Sequence, residues 1–479
     1  MAEAKPKEQT IPLAFTPTQR ATGTGDARMV NCIVETIPNP ITRRLEVWVR
    51  KRPGLANHSQ PPGASATGRG VFAWKGTNKI YSIFSDKIYS NTTDLAVTLA
   101  ASSGRVWSTD IPDTAAAQLL ILSDGTDNYN ITTGDVATQI DENDDANYLT
   151  PNLGPVYYYY GHLVQGTTKY VVNTELNSTT SWLAADIKPL DYKGDAQEMF
   201  YMQKDRLISL GPNSFEMFYY RGNPIGSPLL RVEGNLLQTG IASRNTWANV
   251  GDTCFYVGEN SGNGDGGRSV WVVQAGEQAE VSTPVINRFL AAEGSSISSA
   301  SAWIEKIGGH LCYALNLASA NRTFVYDLET KNWMEFEAAA GSAKWPIVSV
   351  TSLNGTIYGQ DAANGRVYTI SDTTFQDSGS AFTMTVQTQL LNNGTAARKF
   401  VHWVDLIADT QASGTATLAS SDDNGSTWTT RGTFDMTSAR KRIASCGSYR
   451  GERQYRLTHS ANTAFRGQAL VEAYSEGSH

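Results

Sequence analysis

The chain has 479 residues, 40% hydrophobic and only 18% charged, with 42 glycines, 21 tyrosines and 11 tryptophans. A net charge of −7 argues against a surface built to grip a phosphate backbone, because tight nucleic-acid binders carry basic patches. The N-terminus MAEAKPKEQT has no apolar signal core and no run approaches the roughly 18 apolar residues of a membrane span, so a soluble protein made in a cytoplasm is expected.

Residues 1–55 read as an N-terminal arm, irregular and rich in proline and threonine, except that Leu45-Glu46-Val47-Trp48-Val49 alternates like a strand. The arm ends in Arg50-Lys51-Arg52-Pro53-Gly54, for which a solvated strand end before a Pro-Gly turn is preferred over a nucleic-acid contact.

Residues 56–378 are organised as a repeat of short apolar strand, turn rich in Gly, Asn, Asp or Ser, and second strand. Units begin at Gly70, Gln118, His162, Asp205, Asp252, Gly309 and Ser352. Their spacing of about 40–60 residues is close to the 40–50 of a four-stranded propeller blade. The count is seven, or six if a terminal unit is incomplete. Helical periodicity is weak, and the best candidate is the short PVINRFLAA stretch within Thr283 to Ala292.

Beyond Asp377-Ser378-Gly379-Ser380 the strands lengthen and alternate, which predicts an antiparallel β-sandwich over residues 379–479. Within it SDDNGSTW places Ser421, Asp423, Gly425, Thr427 and Trp428 in the Asp-box pattern of sialidases and other carbohydrate-handling propellers. Its physics is that of a turn. Asp423 and Asn424 can bond their own backbone, Gly425 can take a positive φ, and Trp428 begins a strand that can pin the hairpin to a core. These five residues are read as a structural hairpin with no catalytic role. The basic cluster Arg440-Lys441-Arg442, with Arg450, Arg453 and Arg456, reads as a subunit contact or as strand residues of which about half hydrate the sheet, the latter preferred over a contact with DNA phosphates.

Cys32, Cys254, Cys312 and Cys446 are single and expected as buried free thiols. The six histidines form no HExxH spacing, and neither a GxSxG elbow nor a GxxxxGK loop is present. The acidic run Asp141-Glu142-Asn143-Asp144-Asp145 and the stretch Gly262-Asn263-Gly264-Asp265-Gly266-Gly267 each offer too few oxygens for calcium, which needs six to eight ligands, and read as solvated loops. No catalytic, cofactor or metal residue is assigned.

Several segments together resemble the packaged-DNA stabilisation protein, or tail hub, of short-tailed bacteriophages. They are Arg52-Pro53-Gly54-Leu55, NSFEMFYYRGNP at 213–224, TGIASRNTWANVGDTCFYVGENS at 239–261, RSVWVVQAGEQAEVSTPVINRFL at 268–290 and FVYDLETKNWMEF at 324–336. The resemblance implies a non-enzymatic ring in the virion tail, below the portal or head-to-tail adaptor. Such a ring, of six copies by the resemblance, would extend the channel for double-stranded DNA without reading its sequence, retain the packaged genome, and meet tail fibre, tailspike or needle proteins. It would assemble in the host cytoplasm. The alternative is a carbohydrate-binding or sialidase-like propeller acting in receptor binding, for which the single Asp box is the argument. A propeller's own tunnel is only side-chain sized, whereas the major groove of B-DNA alone is about 12 Å wide, so a duplex is expected to pass between copies and not through one propeller.

Overall fold

The computed structural model describes residues 6–15, 27–39, 43–111, 118–190, 197–203, 205–213, 215–223, 225–233, 239–260, 267–274, 277–341 and 343–477. Strands dominate, and the one α-helix among these residues is Pro284–Ala292, inside the segment whose sequence predicts it.

The repeats fold as antiparallel blades. Six are complete in consecutive strands, at residues 68–98 (blade 1), 107–140 (blade 2), 157–189 (blade 3), 199–231 (blade 4), 239–280 (blade 5) and 301–336 (blade 6). A terminal unit at 347–371 contributes only three strands, and Gly54–Ser59 from the N-terminal arm supplies the fourth by pairing with Val367–Ser371. The all-β propeller is thus as expected, and the incomplete unit is the last one.

Second strands such as Lys79–Phe84, Leu119–Ser123, His162–Gly166 and Arg206–Leu210 are buried almost throughout. A blade has neighbours on both faces, so its middle strands are apolar runs and not alternating ones. Turns use residues that tolerate a left-handed backbone, as at Asn78, Asn91, Asn321 and Asn354, all with φ between 51° and 55°. In blade 2 and in the terminal unit an aspartate stiffens the same turn. Asp124 accepts from the amides of Thr126 and Asp127 at 2.8 and 2.9 Å, and Asp361 from those of Ala363 and Asn364 at 2.8 and 2.9 Å.

The ring closes where the terminal unit meets blade 1. The amides of Gly70, Val71 and Ala73 donate to Gln360 Oε1 (2.7 Å), Ser349 Oγ (3.1 Å) and Thr351 Oγ1 (3.0 Å). Polar side chains on the first two strands of the terminal unit therefore satisfy the free amides of the inner strand of blade 1.

The C-terminal strands form two packed layers. One contains Arg398–Ala408, Lys441–Ala444 and Arg466–Glu476, and it also holds Lys7–Pro12, Cys32–Pro38 and Leu45–Lys51 from the arm. The other continues directly from blade 6. Arg28–Val30 lies between Trp333–Phe336 and Met384–Gln387, and the sheet runs on through Gln454–His459, Thr415–Ser421 and Thr429–Asp435. A single core cluster joins Val34, Val49, Trp345, Phe336, Leu418 and Leu470.

The reading of the arm as irregular is corrected by this pairing. Apart from the local hairpin of Cys32–Pro38 with Leu45–Lys51, its strands find partners more than 300 positions away, which no local pattern reports. The basic arm end is corrected too, since Lys51 and Arg52 are 1% and 0% exposed. Of the C-terminal basic cluster, Lys441 and Arg453 are buried and Arg442 is paired with Asp405 at 2.5 Å, so these side chains hold the sandwich together.

Candidate functional site

Among the described residues, three polar places bear on the reading of the chain: the joint at Arg52, the propeller axis at Arg105, and the Asp-box hairpin. Arg52 sits on the short link between Leu45–Lys51 and Gly54–Ser59. Its guanidinium donates to Asp377 at 2.6 and 3.0 Å, to Asn31 Oδ1 at 2.8 Å, and to the carbonyls of Pro53 and Glu337 at 2.9 and 3.0 Å. It also lies 3.8 Å from the Phe382 ring centroid and 5.0 Å from Trp345. A buried cation is tolerated when its donors are used and a carboxylate faces it. Here the result is one side chain that ties the arm, the end of the terminal unit and the sandwich.

Lys51 beside it donates to Ala461 O at 2.8 Å and stands 4.4 Å from Phe382. Burial, and then the adjacent Arg52 charge, push its pKa down to about 8. Gly54 is required on steric grounds, because a Cβ there would run into the backbone carbonyl of Gln376 and within 2.7 Å of Thr374 O.

Arg105 precedes the inner strand of blade 2, and its Nη1 reaches the Trp247 carbonyl of blade 5 at 2.8 Å. The guanidinium lies 3.9 Å from the Trp107 ring, and that ring meets Trp247 edge-on at 5.5 Å. Tyr201 of blade 4 packs on Trp247 at 5.6 Å. Side chains from blades 2, 4 and 5 can meet only on the axis, so this aromatic and guanidinium cluster plugs the tunnel. Burial lowers the Arg105 pKa to about 10, which leaves it charged at neutral pH.

The five Asp-box residues come together in one turn. Ser421 Oγ donates to Asp423 at 2.7 Å, and Gly425 N donates back to Ser421 Oγ at 2.8 Å. Thr427 donates to Asp423 through its amide at 2.9 Å and its hydroxyl at 2.6 Å, while Trp428 Nε1 donates to Gly425 O at 3.0 Å. Asn424 and Gly425 both take positive φ, at 59° and 81°. These hydrogen bonds hold the Asp423 carboxyl down to about 2, so its charge is spent on the turn. The ring of Trp428 is half-buried with Arg456 at 4.2 Å, and the strand that follows it, Thr429–Asp435, places Phe434 in the core.

Other residues singled out by sequence are used locally. Asp141, Asp144 and Asp145 accept from backbone amides of Asn143, Asp141 and Trp182 at 2.7, 3.0 and 2.7 Å. The four cysteines are free and buried. The glycine-rich stretch from Gly262 falls outside the described residues except for Gly267. Among the described residues no three His, Cys, Asp or Glu side chains gather as a metal site. Sequence reasoning took Arg52 for a solvated residue and missed Arg105 altogether. For the first, an arginine inside an apolar Arg-Pro-Gly-Leu link was the available signal, and for the second there was none.

A plugged ring of sheet repeats, closed by an N-terminal strand and fused to a sandwich, defines a structural β-propeller. Comparison with known families gives the more particular answer. The family described as Phage_stabilise: Bacteriophage P22 Gp10, beta-propeller, matches residues 30–375, and the chain belongs to it; it is a bacteriophage structural protein. No curated protein matches the chain. Among solved structures, the N-terminal domain of Nup159 is 10% identical with a TM-score of 0.37, covering 72% of this chain and 98% of its own. BamB from Moraxella catarrhalis is 11% identical with a TM-score of 0.39 (67% and 97% covered), and the designed Ika8 protein is 10% identical with a TM-score of 0.37 (67% and 99%). Likeness at this level has no bearing on function.

Proposed function

We propose that the chain is a tail hub or nozzle subunit, several copies of which form a ring below the portal or adaptor, extend the DNA channel, retain the packaged genome and guide its ejection. Family membership over residues 30–375 is the observation that carries this reading. The plugged axis supports the geometric part of it. With Arg105 bonded across to Trp247, double-stranded DNA has no route through one propeller, so a conduit needs copies arranged around the duplex with closed cyclic symmetry. The net charge of −7 suits a wall past which DNA slides, since phosphate contacts would hold it. Six copies, contact with fibre, tailspike or needle proteins, and a non-enzymatic role belong to the same proposal.

The test is genetic. Virions assembled without this protein should fill their heads and then lose the DNA, and supplying the protein in trans should restore retention. Heads that stay full without it would count against a retaining role. Turnover of sialosides or bacterial polysaccharides by the purified protein would instead favour the carbohydrate-active reading.

A further inference from the structure

Two uncovered surfaces lie far apart on the chain and have opposite chemistry. The first is a groove of about 470 Å³ between the outer parts of blades 3 and 4, lined by His162, Glu175, Leu176, Asp186, Tyr220 and Ile225. Ile225 is 89% exposed, Leu176 61% and Leu183 46%, while Tyr160, 59% exposed, stacks on Tyr220 at 4.4 Å. Exposed apolar side chains gathered in one rimmed patch mark an interaction site. At its floor Asp186 is only 7% exposed, and its carboxylate accepts a long hydrogen bond of 3.3 Å from Asn173 Nδ2. Burial raises its pKa and Glu175 adds to the rise, which His162 and Asn173 offset only in part.

The second surface is the end of the hairpin formed by Cys32–Pro38 and Leu45–Lys51. The pairs Val34–Val49, Thr36–Val47 and Pro38–Leu45 share one face of it. Val34 and Val49 are both 0% exposed, whereas Val47 is 38% and Leu45 67% exposed, because the hairpin runs out beyond the layer that covers its base. The exposed Arg43 stands next to this apolar overhang. The knob is apolar and basic, and the groove is apolar and acidic.

We propose that this hairpin end seats in the blade 3–blade 4 groove of a neighbouring copy, with Leu45 and Val47 against Leu176 and Ile225 and with Arg43 facing Asp186. The base of the hairpin is held beside blade 6, where Arg50 donates to Gly308 O at 2.6 Å, so it does not reach blades 3 and 4 of its own chain. The contact is therefore heterologous, one surface against a different one, which generates a ring when its rotation closes. It rests on the proposed ring and names the surfaces that would build it.

The experiment uses assembled virions carrying Leu45→Cys together with Ile225→Cys, oxidised with copper-phenanthroline so that the two thiols lose two electrons and two protons to the oxidant in forming the disulfide. The native cysteines are buried and do not compete. A covalent ladder beyond the dimer on a denaturing gel, absent from either single variant, is the expected result. Ile225→Asp, on an exposed side chain, should leave the melting temperature unchanged and lower the yield of DNA-filled particles at least tenfold. Virions that hold an axial ring of this protein, yet give no ladder and tolerate Ile225→Asp, overturn the proposed contact and leave the ring standing. Virions in which imaging finds no such ring overturn both. If Ile225→Asp keeps the ring and loses another tail protein, the groove belongs to that partner and the proposal fails.

Discussion

Arg52 and Asp377, 325 positions apart, form a buried two-pronged ion pair of 2.6 and 3.0 Å at the joint between the propeller and the sandwich. The pair places the start of the strand that completes the terminal unit beside the segment that leaves it. Removing one partner leaves an uncompensated charge, so Arg52→Ala should cost about 3–5 kcal/mol, read by chemical denaturation. Arg52→Lys should recover little, because an ammonium cannot reproduce the planar fork or the stacking on Phe382. Arg52→Met with Asp377→Leu should recover more than either single change.

Gly54→Ala tests the same joint by steric means. The added Cβ meets the backbone carbonyls of Gln376 and Thr374 and not a flexible side chain, so a loss of about 1–3 kcal/mol is expected. A neutral result would mean that the joint is loose.

Lys51 gives the joint a pH dependence. Its folded pKa of about 8 lies below the ordinary lysine value of 10.5, so between the two the folded chain binds fewer protons than the unfolded chain. Stability should rise with pH across that window, with the penalty complete below it. From pH 7.5 to 9.5 the gain should be about 2 kcal/mol, measured by urea midpoints, and Lys51→Met should flatten the dependence.

For the Asp box, a half-buried Trp428 held by Arg456 and one hydrogen bond predicts a loss of about 1–2 kcal/mol for Trp428→Ala. This is less than removal of a core ring would cost. The Asp423 carboxylate, with its pKa held at about 2, stabilises the turn above its ordinary pKa of 3.8 and loses that effect as pH falls toward 2. Asp423→Asn should therefore abolish that part of the acid dependence and lower the melting temperature at pH 7, where the carboxylate's contribution is complete.

The repeats were legible because each blade announces itself locally: an apolar middle strand, then a turn of Asn, Asp or Gly. All seven starting points found in the sequence fall within the six complete blades and the terminal unit. The helix at Pro284–Ala292 and the Asp-box turn were legible for the same reason. What escaped was long-range. Lys7–Pro12 pairs with Arg466–Glu476, and Arg28–Val30 bridges blade 6 to the sandwich. Neither pairing leaves a mark within a dozen residues. Arg52 and Lys51 read as surface residues because charge is normally solvated, and only the fold brings Asp377 and the carbonyl of Ala461 to meet them.

The central claim is tested most directly by electron cryomicroscopy of the intact tail at a resolution that separates blades. The account predicts several copies in a closed ring on the tail axis, each propeller plugged at Arg105, with DNA density in the channel between copies. A single copy or an off-axis spike on the virion surface, or DNA density inside a propeller, would contradict it.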